Sequence, residues 1–176
     1  SLYGLALSYS KNGDDSDALN TARQALSLDK ENLLLQMLLL EMHLNAGNNL
    51  EAEALSKSLL EVNPANYPLT VFYSKVLSSN QKFDQAEEVL RKLSLTRSTD
   101  PQIWYWLAEV QGLARKIIAL HQSRAEYFFL TGSYDLSIKH LRWALELSGN
   151  NFQLSESIYN RIERAHQAKE DLKEFS

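Results

Sequence analysis

Three alanines, Ala18, Ala52 and Ala86, stand 34 residues apart, and their surroundings repeat with them. In that register Gly13 pairs with Gly47 before the alanine, Tyr9 with His43 further back, and Ala25 with Leu59 and Leu93 further on. A period of this length describes one supersecondary unit copied along the chain. Such a unit cannot bury its apolar residues alone, so stacked copies cover one another, and about three are needed for stability. Six glycines and three prolines in 176 residues, with hardly any alternating apolar run, make the unit helical. The fold class is all-α.

The unit, a helix-turn-helix with small residues where its helices cross, resembles the tetratricopeptide repeat (TPR). Leu5, Ala6, Tyr9, Gly13, Ala18, Ala22 and Ala25 carry the first copy; Leu39, Gly47, Ala52, Leu59 and the closing Pro64 carry the second, where Leu40 replaces a small residue. The third keeps Tyr73, Ser74, Leu77, Ala86, Leu90 and Leu93, but has Gln81 in place of glycine and a displaced closing Pro101. The register then breaks. The next recognisable unit, Arg124 to Ser137, puts Ser137 at the small position 51 residues after Ala86, one and a half periods on.

An extra helix over 102–113, opening after Pro101, accounts for the half period. Ten helices are expected, over 2–12, 15–27, 31–46, 49–62, 68–79, 83–96, 102–113, 116–131, 134–148 and 151–173. The last has a cap's pattern, with Leu154, Ile158, Ile162, Ala165, Lys169 and Leu172 on one stripe and Glu156, Asn160, Glu163, Gln167 and Glu170 outside it. Asn150, with Gln153 three residues later, is its expected cap. The resemblance implies a right-handed superhelical solenoid of antiparallel helices. It forms a single domain over 1–176, with repeats near 1–30, 31–64 and 65–98, the extra helix, a last repeat over 116–148 and a capping helix over 151–173.

Several chemistries are excluded by residue type. Eighteen Lys and Arg against 22 Asp and Glu leave a net charge of −4, and no basic cluster exists to pair with phosphates. Without cysteine there is no disulfide and no thiolate nucleophile or zinc site. His43, His121, His140 and His166 are scattered singly and none forms H-E-x-x-H, so they read as packing or surface residues, and no metal ligand is expected in this chain. G-x-G-x-x-G, the P-loop and G-x-S-x-G are missing, so no catalytic residue and no cofactor-binding residue is assigned. The longest apolar run, Leu33 to Leu40 interrupted by Gln36, is far short of the ~20 residues of a membrane span. The opening Ser1-Leu2-Tyr3-Gly4, with neither Met nor a signal segment, is what a piece of a larger protein would show.

Binding is then the expected function. In the repeat register the first helix of each pair faces a bound peptide. That face carries Leu34, Met37, Glu41, Leu44 and Asn45, then Val71, Lys75, Ser78 and Ser79, then Tyr105 and Glu109, then Gln122, Glu126 and Phe129. Met37 and Phe129 suit either an apolar anchor of a partner or the array's own core. Trp104 and Trp106 point about 200° apart on one helix, so they cannot share a face. Trp104 takes the packing role with Leu107, Ala108 and Gln111, and Tyr105 or Trp106 is then available to anchor a partner unless neighbouring helices bury it. Some TPR proteins hold peptide tails with a clamp of Lys, Asn and Arg. Here Tyr3, Leu7 and Glu41 stand where the clamp needs cations or amides, so that activity is not carried over.

The final third has a narrower likeness. Ala108-Glu109-x-x-Gly112, the run Leu120 to Gly132 with its R-A-E-Y segment Arg124 to Tyr127, Leu141-x-x-Ala144-Leu145 and Tyr159-x-Arg161-Ile162 are similar to the C-terminal repeat domain of bacterial periplasmic zinc metalloproteases of the BepA (YfgC) type. This resemblance implies a periplasmic location and a zinc-bearing H-E-x-x-H peptidase domain outside this chain. It also implies partners among that peptidase domain, the barrel-assembly machinery and unassembled outer-membrane proteins, with this chain recruiting or restricting substrates. The alternative is a free-standing TPR adaptor or scaffold in cell-envelope, pilus or secretion-complex assembly.

Overall fold

The computed structural model describes residues 1–174 and contains ten α-helices, with no strand among the described residues. They are α1 (Leu2–Asn12), α2 (Asp15–Leu28), α3 (Leu33–Asn45), α4 (Asn49–Val62), α5 (Tyr67–Ser79), α6 (Phe83–Thr96), α7 (Pro101–Leu113), α8 (Ile117–Leu130), α9 (Tyr134–Leu147) and α10 (Phe152–Glu174). Every boundary falls within two residues of the expected one, because the stops are chemical: two kinds of joint alternate along the chain.

The first joint is a left-handed turn. Gly13, Gly47, Gln81 and Arg115 all have positive φ, at 82°, 72°, 60° and 58°, spaced 34 residues apart. The amide after each reaches back to the preceding helix, Asp14 to Tyr9, Asn48 to His43, Lys82 to Leu77 and Lys116 to Gln111, at 2.9, 2.9, 2.8 and 2.9 Å. The second joint is an Asx cap with the same spacing. Asn32, Asn66 and Asp100 each accept, on a side-chain oxygen, an amide of the helix they open. After Arg115 the next turn is again left-handed, at Gly132, and only then does an Asx cap return, at Asn151, which accepts from the Leu154 amide at 3.0 Å. Asn151, not Asn150, therefore caps α10.

The half-period step thus lies between 115 and 132. Helix α7, over the stretch expected to be extra, keeps the 34-residue phase, while α8 is entered and left through left-handed turns. The alanine marker is lost there because Leu120 occupies its place, and Gly112 makes the room: a Cβ on Gly112 would lie 2.9 Å from Leu120 Cδ1. A large residue on one helix is matched by no side chain on the other.

Gln81 and Arg115 hold a backbone conformation that costs an L-residue roughly 1 kcal/mol. Gln81→Gly is expected to raise stability by about 0.5–1 kcal/mol, read as a higher urea midpoint at unchanged slope. A lower midpoint would mean that the glutamine side chain contributes more than its strained φ costs.

By contact the chain forms two units, Ser1–Ala86 and Glu87–Ser176. In the first, one core gathers Ala6, Ala18, Leu19, Ala22, Leu38 and Met42, and another Leu40, Ala52, Leu59, Leu69 and Val76. Leu40, at a position expected to be small, is fully buried in the second core. In the unit Glu87–Ser176, Ala125, Ile138, Leu141, Ala144, Ile158, Ile162 and Ala165 join α8, α9 and α10. The expected stripe of α10 is inward at Ile158, Ile162 and Ala165, whereas Leu172 is 56% exposed.

Candidate protein-docking surfaces

In the unit Ser1–Ala86, α3 packs against α1, α2, α4 and α5, which explains why its sequence is apolar on every face. Leu34, Asn45 and Lys75 are exposed, as is Ser79. Asn45 donates to Ser10 Oγ at 2.9 Å, tying α3 to α1, and the Lys75 ammonium lies 5.5 Å from the centre of the Phe72 ring. Glu41 and Ser78 are half-buried, with Ser78 Oγ donating to the Ser74 carbonyl at 2.9 Å. Met37 and Leu44 pack against the core around Leu40. Val71 is 4% exposed and presents no surface. The positions share a register but not an environment.

His43 is buried in α3 and its Nδ1 has no hydrogen-bond partner. Burial, then the nearby Arg23, push its imidazole below the usual histidine value, with Glu51 opposing. The folded state therefore keeps His43 neutral, and its stability falls as pH drops below about 6.5, where the unfolded chain binds the proton more readily. Leu77 holds the same repeat position in α5 and is fully buried. His43→Leu is expected to add about 1 kcal/mol at pH 7, by removing an unsatisfied polar atom, and to flatten the loss below pH 6.5. An unchanged acid limb in urea melts at pH 5 and 7 would refute this.

In the unit Glu87–Ser176 the expected residues are tied together by charge and aromatic contact. Glu109, on α7, pairs with Arg124 of α8, whose guanidinium also lies 5.2 Å from the centre of the Tyr105 ring. Tyr105 in turn meets Tyr127 at 5.7 Å between ring centres. Trp106 is half-buried, and Trp104 Nε1 donates to the Ser98 carbonyl at 2.8 Å, pinning the loop before α7. Gln122 and Glu126 both bind Arg161 of α10: the guanidinium donates to Gln122 Oε1 at 3.2 Å, to the Gln122 carbonyl at 2.9 Å and to Glu126 Oε2 at 3.0 Å. Arg164 adds a longer contact to Glu126 and lies 3.8 Å over the Phe129 ring, which itself packs on the local core.

Beside Gln122 and Glu126 opens a cleft of about 480 Å³ between α6, α7, α8 and α10. Its apolar lining is Leu95, Trp104, Leu107 and Ala119, and Arg91, Gln111 and Arg161 supply polar groups. Gln111 is fixed from both sides, donating to Glu87 at 3.1 Å and accepting from Ser123 Oγ at 2.7 Å. Leu95 is 72% exposed on the rim. The expected groove omits Leu95, Arg91 and Arg161 because they come from the second helix of a pair and from the capping helix, outside the peptide-facing register. Among the described residues no group of three or more His, Cys, Asp or Glu converges on a metal position, and no helix is long and apolar enough to cross a membrane.

Two tetratricopeptide-repeat family profiles match the chain, over residues 3–68 and 43–110. No curated protein sequence matches. Among solved structures, MamA from Desulfovibrio magneticus RS-1 aligns over 97% of this chain and 94% of its own, with a TM-score of 0.63 and 12% identity. A tetratricopeptide repeat protein from Parabacteroides merdae aligns over 94% and 70%, with a TM-score of 0.60 and 16% identity. The thermophilic TPR protein TTC0263 of Thermus thermophilus aligns over 92% and 97%, with a TM-score of 0.56 and 15% identity. Helix count, the 34-residue joints and these matches agree: the chain is a tetratricopeptide-repeat domain.

Proposed function

We propose that this domain is a non-catalytic docking module of a periplasmic zinc metalloprotease, recruiting or restricting substrates in outer-membrane protein assembly and quality control. The observation that carries the reading is the Glu126–Arg161–Arg164 cluster beside the cleft. Its glutamate belongs to the R-A-E-Y segment and Arg161 to the R-I helix, the two segments on which the resemblance to that protease family rests. They are the residues that fix α10 against α8 and so shape one wall of the cleft. A peptide would enter with an apolar side chain against Leu95, Trp104 and Ala119. The described residues offer no peptidase zinc set, so the zinc and its general base are assigned to a domain outside residues 1–176. The module then acts by raising the local concentration of substrate chains near that domain.

The test uses Leu95→Glu, a substitution at an exposed rim position that leaves the helices intact. In the parent protein it is expected to slow degradation of an unfolded outer-membrane barrel protein about tenfold, equivalent to about 1.4 kcal/mol of lost association. Cleavage of a short peptide that needs no docking stays unchanged. Equal degradation of the barrel protein would remove the cleft from the mechanism. Residues 1–176 alone, given zinc and casein, are expected to cleave nothing. A coding sequence with no H-E-x-x-H would replace this reading with the free-standing envelope adaptor.

A further inference from the structure

His121 of α8 and His140 of α9 present their Nδ1 atoms to each other at 3.0 Å. Trp143 lies against both, with ring centres 5.2 Å and 5.0 Å away, and Phe128 stacks on His140 at 5.4 Å. In sequence the two histidines are 19 residues apart and look unrelated. The left-handed turn at Gly132 folds them into register, and the buried bond from Ser137 Oγ to the Ala125 carbonyl at 2.8 Å holds α8 and α9 in that register.

We propose that this pair is a divalent transition-metal site of the cis di-imidazole type, suited to Ni²⁺ or Cu²⁺, with water completing the coordination. With metal–nitrogen bonds of about 2.0–2.1 Å, an Nδ1 separation of 3.0 Å subtends about 91–97° at the metal. That is the cis angle of a square-planar or tetragonal ion, whereas a tetrahedral zinc would need the nitrogens about 3.3 Å apart. The site is independent of the peptidase zinc assigned to another domain: no third His, Cys, Asp or Glu joins it among the described residues, and it has no general base.

Without metal, one ring donates its Nδ1 hydrogen to the other. On binding, that hydrogen moves to Nε2 of the same ring, so both Nδ1 lone pairs face the ion and no net proton is released. Lys139, whose ammonium lies 4.9 Å from the centre of the Trp143 ring, and Arg124 oppose the cation and moderate the affinity.

Trp143 supplies the readout. Titrating residues 1–176 with nickel chloride is expected to quench tryptophan emission saturably at micromolar metal, reversed by EDTA. His121→Gln and His140→Gln should each weaken binding by at least about tenfold, while His166→Gln leaves it unchanged. Trp143→Phe should lose the quench yet keep a nickel-dependent rise in Tm. On the unsubstituted protein, substoichiometric Cu²⁺, which is paramagnetic in every geometry, should broaden the Trp143 indole NH resonance before those of Trp104 and Trp106, which tests the site without relying on the variants' folding. No saturable quench below millimolar nickel, binding that survives both histidine substitutions, loss in only one of them, or uniform broadening of all three indoles would each overturn the proposal.

Discussion

Leu141→Ala is expected to cost about 3–4 kcal/mol and to lower Tm by roughly 10 °C. Leu141 is 1% exposed in α9 and lies in the core that joins α8, α9 and α10. The cost belongs in the upper half of the usual range because the hole cannot close. Its neighbours Ala125, Ala144 and Ala165 are themselves 0–1% exposed, so the helices are already at close approach there and have no side-chain atoms to move inward. In a stacked array the loss is local. The end helix α10 packs on α9, so amide exchange should accelerate first in α9 and α10 while the amides of α1 and α2 keep their protection. A loss under about 1 kcal/mol would show that this core relaxes into the cavity.

The repeat was readable because its markers are steric and local. Ala18, Ala52 and Ala86 are fully buried where only a methyl fits, and the joints at Gly13 and Gly47 use the one residue that adopts positive φ without cost. Where the same geometry is met by other residues the signal vanished. Gln81 and Arg115 hold the turn without glycine, and Gly112 with Leu120 meets the crossing by exchanging which helix is small. The interaction surface was less legible, since a register assigns a face but not its burial. Val71 and Met37 occupy peptide-facing positions and yet are taken up by packing, because α3 and α5 have neighbours on several sides. The contacts that shape the cleft and the histidine pair span 12 to 39 residues and depend on how hairpins register across turns. The histidine pair was recoverable from the Gly132 turn, which His121 and His140 flank at similar distances. The Arg161–Gln122 contact was not, because it needs the placement of α10.

Arg161→Met is expected to cost about 2–3 kcal/mol, since a methionine keeps the stem's packing but abandons three hydrogen bonds. Breaking a buried pair usually costs about 3–5 kcal/mol through the charge left behind. The value here is lower because Arg161 is 25% exposed and because Glu126 keeps Arg164 as a second, more distant partner at 3.4 Å. Two further substitutions separate these terms. Arg164→Ala removes a side chain that is 53% exposed and should change stability by no more than about 0.5 kcal/mol. Adding Glu126→Gln to Arg161→Met removes the stranded carboxylate charge, so the double variant should lose less than the two single losses combined, with a coupling of about 1.5–2 kcal/mol. Additive losses would mean that water solvates Glu126 freely. In that case the apolar contacts of Ile158, Ile162 and Ala165, rather than the Glu126 charge, would be what holds α10 on α8 and walls the cleft.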